Sequence, residues 1–242
     1  MSFLFTKYKN KILQGLYKNK DIKPAVYKNL KILEEINFNC SIYDASYVVI
    51  DTELTGLDSK GDCILSIGAV RMKGGSIYMG DYFYRIVAPS VCLRPASIII
   101  HGITPKEASE CPSIDLIMPE FIDFCKGKII VGYCIAIDIE FINKEMKRLY
   151  GFNIQNPVID LLKMYLIIKK KKVGCDAFVD DNLAMPTANL FEIAREFDVP
   201  VQEGHNALSD AFITAQIFQR CLPALSKRGI NTIKDLIMVS KP

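Results

Sequence analysis

The 242-residue sequence lacks any apolar stretch long enough to cross a bilayer. Its longest uncharged apolar runs, such as residues 129–137, fall far short of the roughly 20 residues that a membrane helix needs. The first residues, MSFLFTKYK, hold too few apolar positions before the lysines to form the apolar region of a signal peptide. We therefore expect a soluble, cytoplasmic protein with no membrane partner.

The sequence also lacks closely spaced cysteine pairs and a large excess of one charge. Its eight cysteines are scattered, so we expect buried free thiols and neither a structural zinc site nor a disulfide framework. The net charge is +3, but residues 1–42 carry eight lysines and three acids, so the rest of the chain is slightly acidic. A general positive field for polyanions is excluded, and such a ligand would need local groups or bound metal ions.

Composition and periodicity divide the chain into three parts. Residues 1–42 are predicted to be a basic extension with helices at 7–20 and 24–36, either solvated and packed on the body or in contact with phosphates or a partner protein. Residues 43–223 are predicted to form the main domain. Residues 224–242 are predicted to be a short helical tail.

The main domain begins with strand patterns and continues with alternation. Strands are predicted at 46–54, 62–73 and 76–86, with a turn at Gly74 and Gly75, which indicates an antiparallel meander. Helices are then predicted at 112–126, 139–150, 161–170, 187–197 and 207–221, and strands at 128–133 and 157–160. This order predicts an α/β fold with a mixed sheet flanked by helices. The lysine run at 169–172 indicates a solvated helix end, with phosphate binding as the alternative.

Two acids interrupt the end of the first predicted strand, in VVIDTELTGLD (48–58). Because side chains alternate along a strand, Asp51 and Glu53 project from the same face, about 7 Å apart along the backbone. Adjacent carboxylates repel one another, and their burial without a cation is unfavourable. The pair therefore indicates that something positively charged binds here.

Two further acids and a histidine have similar settings. Asp138 follows an apolar strand pattern and opens a helix, while Asp210 lies on an otherwise apolar helix, five residues after His205. Each alone could be a helix cap or an ordinary polar residue. Together, four carboxylates are the ligands that Mg²⁺ prefers, and two such ions can hold a phosphodiester between them. A neutral histidine beside them can take a proton from water.

The ordered motifs DTELTG, HGIT, AIDIEF and HNALSDA, within residues 46–221, resemble those of the DEDDh 3′-to-5′ exonucleases, and most of all the proofreading (epsilon) subunits of bacterial DNA polymerase III. The resemblance implies a ribonuclease-H-like fold, two Mg²⁺ or Mn²⁺ ions, and release of 5′-mononucleotides from a 3′ end. Its implied metal ligands are Asp51, Glu53, Asp138 and Asp210, and its implied general base is His205. Its implied contacts to the terminal nucleotide are Thr52, Thr55 and Leu57, with His101 nearby.

The sequence departs from many relatives at Tyr133 and Cys134, where they have His-Asn, and at Ile137, where they have Phe. These changes concern substrate contact and tuning of the site. The leading hypothesis is an exonuclease that acts on single-stranded DNA 3′ ends in proofreading or repair, with a DNA polymerase subunit as a candidate partner. The alternatives are an RNA-trimming, oligoribonuclease-type exonuclease and a catalytically silent module that binds nucleic acid or a polymerase.

Overall fold

A computed structural model describes residues 24–169, 189–201 and 205–242 of the chain. The helix predicted at 7–20 lies outside the described residues, as do Cys175 and all but the first lysine of the run at 169–172.

A five-stranded sheet forms the centre of the described structure, in the order β3-β2-β1-β4-β5. Its strands are β1 (Ser46–Leu54), β2 (Ile64–Lys73), β3 (Ser76–Ile86), β4 (Ile129–Gly132) and β5 (Val158–Asp160). The first three are antiparallel neighbours, whereas β4 pairs in parallel with both β1 and β5. The predicted α/β fold with a mixed sheet is confirmed.

Nine helices surround the sheet within the described ranges. They are α1 (Pro24–Glu34), α2 (Pro95–His101), α3 (Pro105–Ser109), α4 (Ile114–Phe124), α5 (Ala136–Tyr150), α6 (Leu161–Lys169), α7 (Leu190–Glu196), α8 (Ala207–Ser226) and α9 (Ile233–Ser240). Sequence periodicity missed α2 and α3, because each is shorter than the window in which a helical repeat can be recognised. None of these helices is long and apolar enough to cross a membrane.

The helix α5 begins earlier than predicted, and the difference affects a site residue. It was predicted to start at residue 139, after Asp138, but it starts at Ala136. Asp138 therefore lies inside the first helical turn, where a carboxylate is favoured by the partial positive charge of the helix N-terminus.

The strand β1 separates two hydrophobic cores. Tyr47 and Val49 pack on one face of the sheet against α8, whereas Val48 and Ile50 pack on the other face against α4 and α5. All four side chains are fully buried. The face on which any later β1 side chain lies follows from this alternation.

Both ends of the described chain pack on this body. In α1, Val26 and Leu30 join the core beneath α4, and the Asn29 side chain donates a hydrogen bond to Asn156 Oδ1 (2.9 Å). At the other end, α9 buries Ile233 and Leu236 in the core beneath α8. The domain boundaries at residues 42 and 223 stay predictions.

The cysteines are less buried than predicted. The seven that lie in the described ranges are free, but only Cys125 and Cys221 are buried, and Cys92 is exposed. The expectation of buried thiols was wrong for the others, because they occupy loops and element ends near the surface rather than core positions.

Candidate active site

The acids of β1 lie on the sheet face that α8 covers. Asp51 and Glu53 continue the alternation of Tyr47 and Val49, and Asp51 pairs across the ladder with Gly68 of β2. A Cβ atom at Gly68 would lie 2.2–2.3 Å from backbone atoms of Ala207, the first residue of α8. The helix therefore begins in direct backbone contact with the sheet, which only glycine permits.

This close approach brings Asp210, in the first turn of α8, to the two acids of β1. One carboxylate oxygen from each of Asp51, Glu53 and Asp210 lies within 4.8 Å of the other two. Asp210 Oδ1 is buried and has no hydrogen-bond partner among the described residues. A buried carboxylate oxygen without a partner is costly, so the position of this oxygen fits a role in binding a cation.

Burial and mutual repulsion act together on these carboxyl groups. Burial, followed by the charges of Asp138, Asp210 and Glu53, raises the pKa of Asp51 well above its ordinary value. Burial, with Asp210 next, raises the pKa of Glu53 to about 7. Burial also raises the pKa of Asp210 to about 6, against the opposing effect of His205. A set of hard oxygen donors that resists ionisation in this way fits a divalent cation such as Mg²⁺ or Mn²⁺.

The fourth predicted acid approaches from the opposite layer of the fold. Asp138 belongs to α5, on the far face of the sheet, and lies outside the group of three oxygens described above. Thr52, which points to that face, donates a hydrogen bond from Oγ1 to Asp138 Oδ1 (2.6 Å). Burial raises the pKa of Asp138 to about 7, and the Thr52 hydrogen bond opposes the rise. Thr52, an implied nucleotide contact, is thus engaged with an acid of the site.

His205 lies at the exposed edge of the cluster. Its Nδ1 atom is 3.5 Å from Asp210 Oδ2, and half of its side chain is exposed. Its ring makes a T-shaped contact with Phe191 of α7, with 5.3 Å between ring centroids. The next residue, Asn206, caps α8 by accepting hydrogen bonds at Oδ1 from the backbone N–H groups of residues 208 and 209. The histidine is therefore fixed by the same helix start as Asp210.

The other implied nucleotide contacts differ in exposure. Leu57 is 77% exposed, whereas Thr55 is 1% exposed and its hydroxyl bonds within the β1–β2 loop. His101 is 7% exposed, its Nδ1 accepts a hydrogen bond from the backbone N–H of Ile103 (3.0 Å), and burial lowers its pKa. Only Leu57 of these three presents a largely exposed side chain. Their roles toward a substrate stay predictions.

Sequence reasoning missed several polar residues around the site. The side chain of Asn206 donates a hydrogen bond to the hydroxyl of Tyr84 on β3 (3.2 Å), and no local sequence pattern predicts this contact. Asp160 is buried at the end of β5, and its Oδ1 accepts from the backbone N–H of Leu162 (2.9 Å). An acid that ends an apolar strand was the signal used for Asp51, and it could have identified Asp160 as well. Asp62, buried in a polar loop, gave no such signal.

Known proteins resemble this chain in sequence and in fold. The RNase T family model, described as an exonuclease, matches residues 48–218. The chain is 32% identical to the DNA polymerase III subunit epsilon of Aquifex aeolicus over 202 residues, which are 83% of this chain and 93% of that protein. It is 29% identical to the PolC-type DNA polymerase III of Thermotoga maritima, but it spans only 14% of that protein's length. E. coli exonuclease I in complex with a dT13 oligonucleotide shares the fold, with a TM-score of 0.62 at 17% identity, over 77% of this chain and 43% of that one.

Proposed function

Since the chain belongs to the RNase T exonuclease family, we propose that it is a metal-dependent 3′-to-5′ exonuclease that hydrolyses single-stranded DNA to 5′-mononucleotides. The observation that carries the proposal is the group formed by Asp51, Glu53 and Asp210, whose carboxylate oxygens meet within 4.8 Å. Such a group has no evident structural use, because the pKa of each acid is raised in the fold.

The residues proposed to hold Mg²⁺ or Mn²⁺ are these three acids together with Asp138. When bound, two such ions supply positive charge that offsets the carboxylates and a substrate phosphate. The Thr52 hydroxyl donates to Oδ1 of Asp138 and so helps to fix the orientation of that carboxylate. Thr52 is therefore proposed to orient Asp138, one of the four proposed metal ligands.

His205 is proposed to be the general base. We assign the ring proton to Nδ1, which faces Asp210 Oδ2 at 3.5 Å, and this leaves Nε2 to accept a proton from water. Its half-exposed ring is open to water and substrate. A histidine held at the exposed edge of an acid cluster is the arrangement that this role requires.

We further propose that residues 43–223 are the catalytic domain and that residues 1–42 assist binding through their positive charge. The similarity to a polymerase III subunit supports a DNA polymerase as partner and proofreading as the setting. A DNA substrate also fits the cytoplasmic location predicted from the sequence. Copurification of the full chain with a polymerase from native cells would support the partner, and its recovery alone would favour free-standing repair.

The test of the activity uses 5′-labelled single-stranded oligonucleotides with a 3′-hydroxyl, the same DNA with a 3′-phosphate, and circular DNA. We expect Mg²⁺-dependent shortening from the 3′ end, slower digestion of the 3′-phosphate, and no cutting of the circle. Chelation should abolish the reaction. Rapid cutting of circles would show an endonuclease, and faster digestion of matched RNA would show an RNA-trimming enzyme.

His205→Ala tests the assignment of the base. Turnover should fall by about 10²- to 10⁴-fold while calorimetric Mg²⁺ binding stays near that of the wild type. The variant should also lose the part of the pH–rate profile that rises with deprotonation of the base. A turnover within a few-fold of the wild type would contradict the role.

A further inference from the structure

The loop that joins β1 to β2, residues 55–63, is built around one buried carboxylate. Asp62 is 2% exposed. Its Oδ1 accepts a hydrogen bond from the Thr55 hydroxyl (3.1 Å), and its Oδ2 accepts one from the backbone N–H of Asp58 (3.0 Å). A Cβ atom at Gly56 would lie 2.3 Å from Oδ2, so the carboxylate fills the interior of the loop. The shape of the loop therefore depends on Asp62.

Asp62 also binds two segments outside the loop. Arg94, the residue before α2, donates from Nη2 to Asp62 Oδ1 (2.9 Å). Lys144 of α5 donates from Nζ to the backbone oxygen of Asp62 (2.7 Å). One residue thus joins the loop, α2 and the helix that carries Asp138. The bond between Arg94 and Asp62 is a charge-assisted one, because both partners are charged and the carboxylate is shielded from water.

Large apolar side chains stay exposed on the two segments that Asp62 and Arg94 connect. Leu57 on the loop is 77% exposed, and Ile99 and Ile100 on α2 are 85% and 54% exposed. Leu57 follows the acid pair of β1 by only four residues. Exposed apolar groups on both sides of one tether fit the apolar faces of an unstacked base.

The Asp62–Arg94 contact is an important tether for α2. The small core beneath this region consists of Leu65, Ile103 and Ala108, with Ile86 and Leu93 packed against it. The Arg94 side chain does not cap α2 but extends to Asp62, and it is 64% exposed. Loss of this contact should change the spacing of the segments and leave the main cores unaffected.

We propose that Asp62, through Arg94, is a positioning residue that holds the loop 55–63 and α2 at the separation that admits the terminal base of a single strand between Leu57 and Ile99. This inference rests on the proposed function, since it assigns the substrate group to the same site. Asp62 itself touches neither metal nor phosphate in this assignment, because Thr55, Asp58 and Arg94 already engage its two oxygens.

The test compares two single-stranded oligonucleotides that are identical except that one lacks the base of its 3′-terminal nucleotide. For the wild type, KM should be lower for the oligonucleotide that keeps the base. Arg94→Gln should raise that KM by roughly three- to ten-fold, change kcat by less than about twofold, and leave the abasic KM unchanged. The preference for a terminal base should therefore be largely erased.

Arg94→Lys, which keeps the positive charge, should recover most of the preference. The matched control is Arg85→Gln, which removes another partly exposed arginine that pairs with an acid, Glu120, but lies on the edge strand β3. This variant should leave both KM values unchanged. Leu57→Ala and Ile99→Ala should each weaken the preference for a terminal base.

The outcomes separate this inference from the proposed function. A wild type that digests neither oligonucleotide overturns the proposed function. A wild type that digests both with equal KM, or an Arg94→Gln variant that keeps the full preference, overturns the positioning role alone. Because Arg94 is largely exposed, this variant should fold normally, and the test does not depend on substitution of the buried Asp62.

Discussion

Side chains alternate between the two faces of the sheet along both halves of β1, but the first half is apolar and the second half is polar. Residues 47–50 are apolar and send alternate side chains into two separate cores. In the second half, Asp51 and Glu53 continue toward α8, while Thr52 continues toward α5 and bonds to Asp138. The pattern that divides the cores therefore also brings acids from two helical layers to one strand end. The first half supplies rigidity and the second half the proposed chemistry.

The largest effect should follow from Asp51→Asn, which removes a charge from the second half of β1 and keeps the shape of the side chain. We expect loss of activity by about 10³-fold, because electrostatic stabilisation at the site depends on this carboxylate. Thermal stability without metal should not fall, since the substitution relieves repulsion. The control is Asp44→Asn, which replaces an exposed acid just before β1 and should change neither activity nor thermal stability. Near-normal single-turnover rates for Asp51→Asn would refute the assignment.

The next largest effect should follow from Gly68→Ala on β2, which replaces no acid but pushes the start of α8 away from the sheet. The added methyl group meets the backbone of Ala207, so the start of α8 must shift and carry Asp210 and His205 with it. A displacement of this kind can lower activity by about 10²-fold, and overpacking should cost about 1–3 kcal/mol of stability.

The control for that substitution is Gly80→Ala on β3. A Cβ atom at Gly80 would meet nothing within 4 Å, so neither activity nor unfolding free energy should fall. Equal behaviour of the two variants in chemical unfolding and in cleavage assays would show that the contact at Gly68 does not set the geometry of the site.

A smaller effect should appear in the pH dependence of stability in chelator. The pKa of Glu53 is raised from 4.5 to about 7 in the folded state, so folding favours its protonated form. Its contribution to stability is fully present below about pH 4.5 and is lost as the pH rises through about 7, a loss on the order of 3 kcal/mol. Glu53→Gln should remove much of this loss, and Mg²⁺ should reduce it in the wild type.

Urea unfolding at pH 5 and pH 8, with and without chelator, measures this effect. The control is Glu35→Gln, which replaces an exposed acid just after α1 and should show the same pH dependence as the wild type. A wild type that gains stability relative to Glu53→Gln between these pH values would reverse the expected sign and refute the interpretation.

The sequence was sufficient for those parts of the site that break a local pattern. Asp51, Glu53 and Asp210 each interrupt an apolar strand or helix, and periodicity also assigned Asp51 and Glu53 to one face. Strand β1 was placed at residues 46–54, as observed, because its apolar run is long and its end is marked by charge.

Periodicity could not show which distant segment covers a given face. The contact between Gly68 and Ala207 joins residues far apart in the chain, and only the folded backbone reveals it. Asp62 was missed for a related reason: it lies among polar loop residues, and its burial results from its bonds to Thr55 and Arg94. Local patterns therefore identified the acids but not the residues that position them.

The smallest effect concerns Cys134, which follows β4 and has a φ of 47°, in the left-handed region. Non-glycine residues are strained there, whereas asparagine tolerates this conformation better than most. Cys134→Asn should therefore relieve strain and raise the unfolding free energy by about 0.5 kcal/mol. Part of this gain should be lost, because asparagine does not replace the apolar packing of the thiol against the core beneath α8. Cys92→Asn is the matched control, because Cys92 is exposed and does not have a positive φ. If Cys134→Asn proves no more stable than Cys92→Asn in urea unfolding, the backbone at residue 134 is not strained, and the cysteine there must be explained by its packing alone.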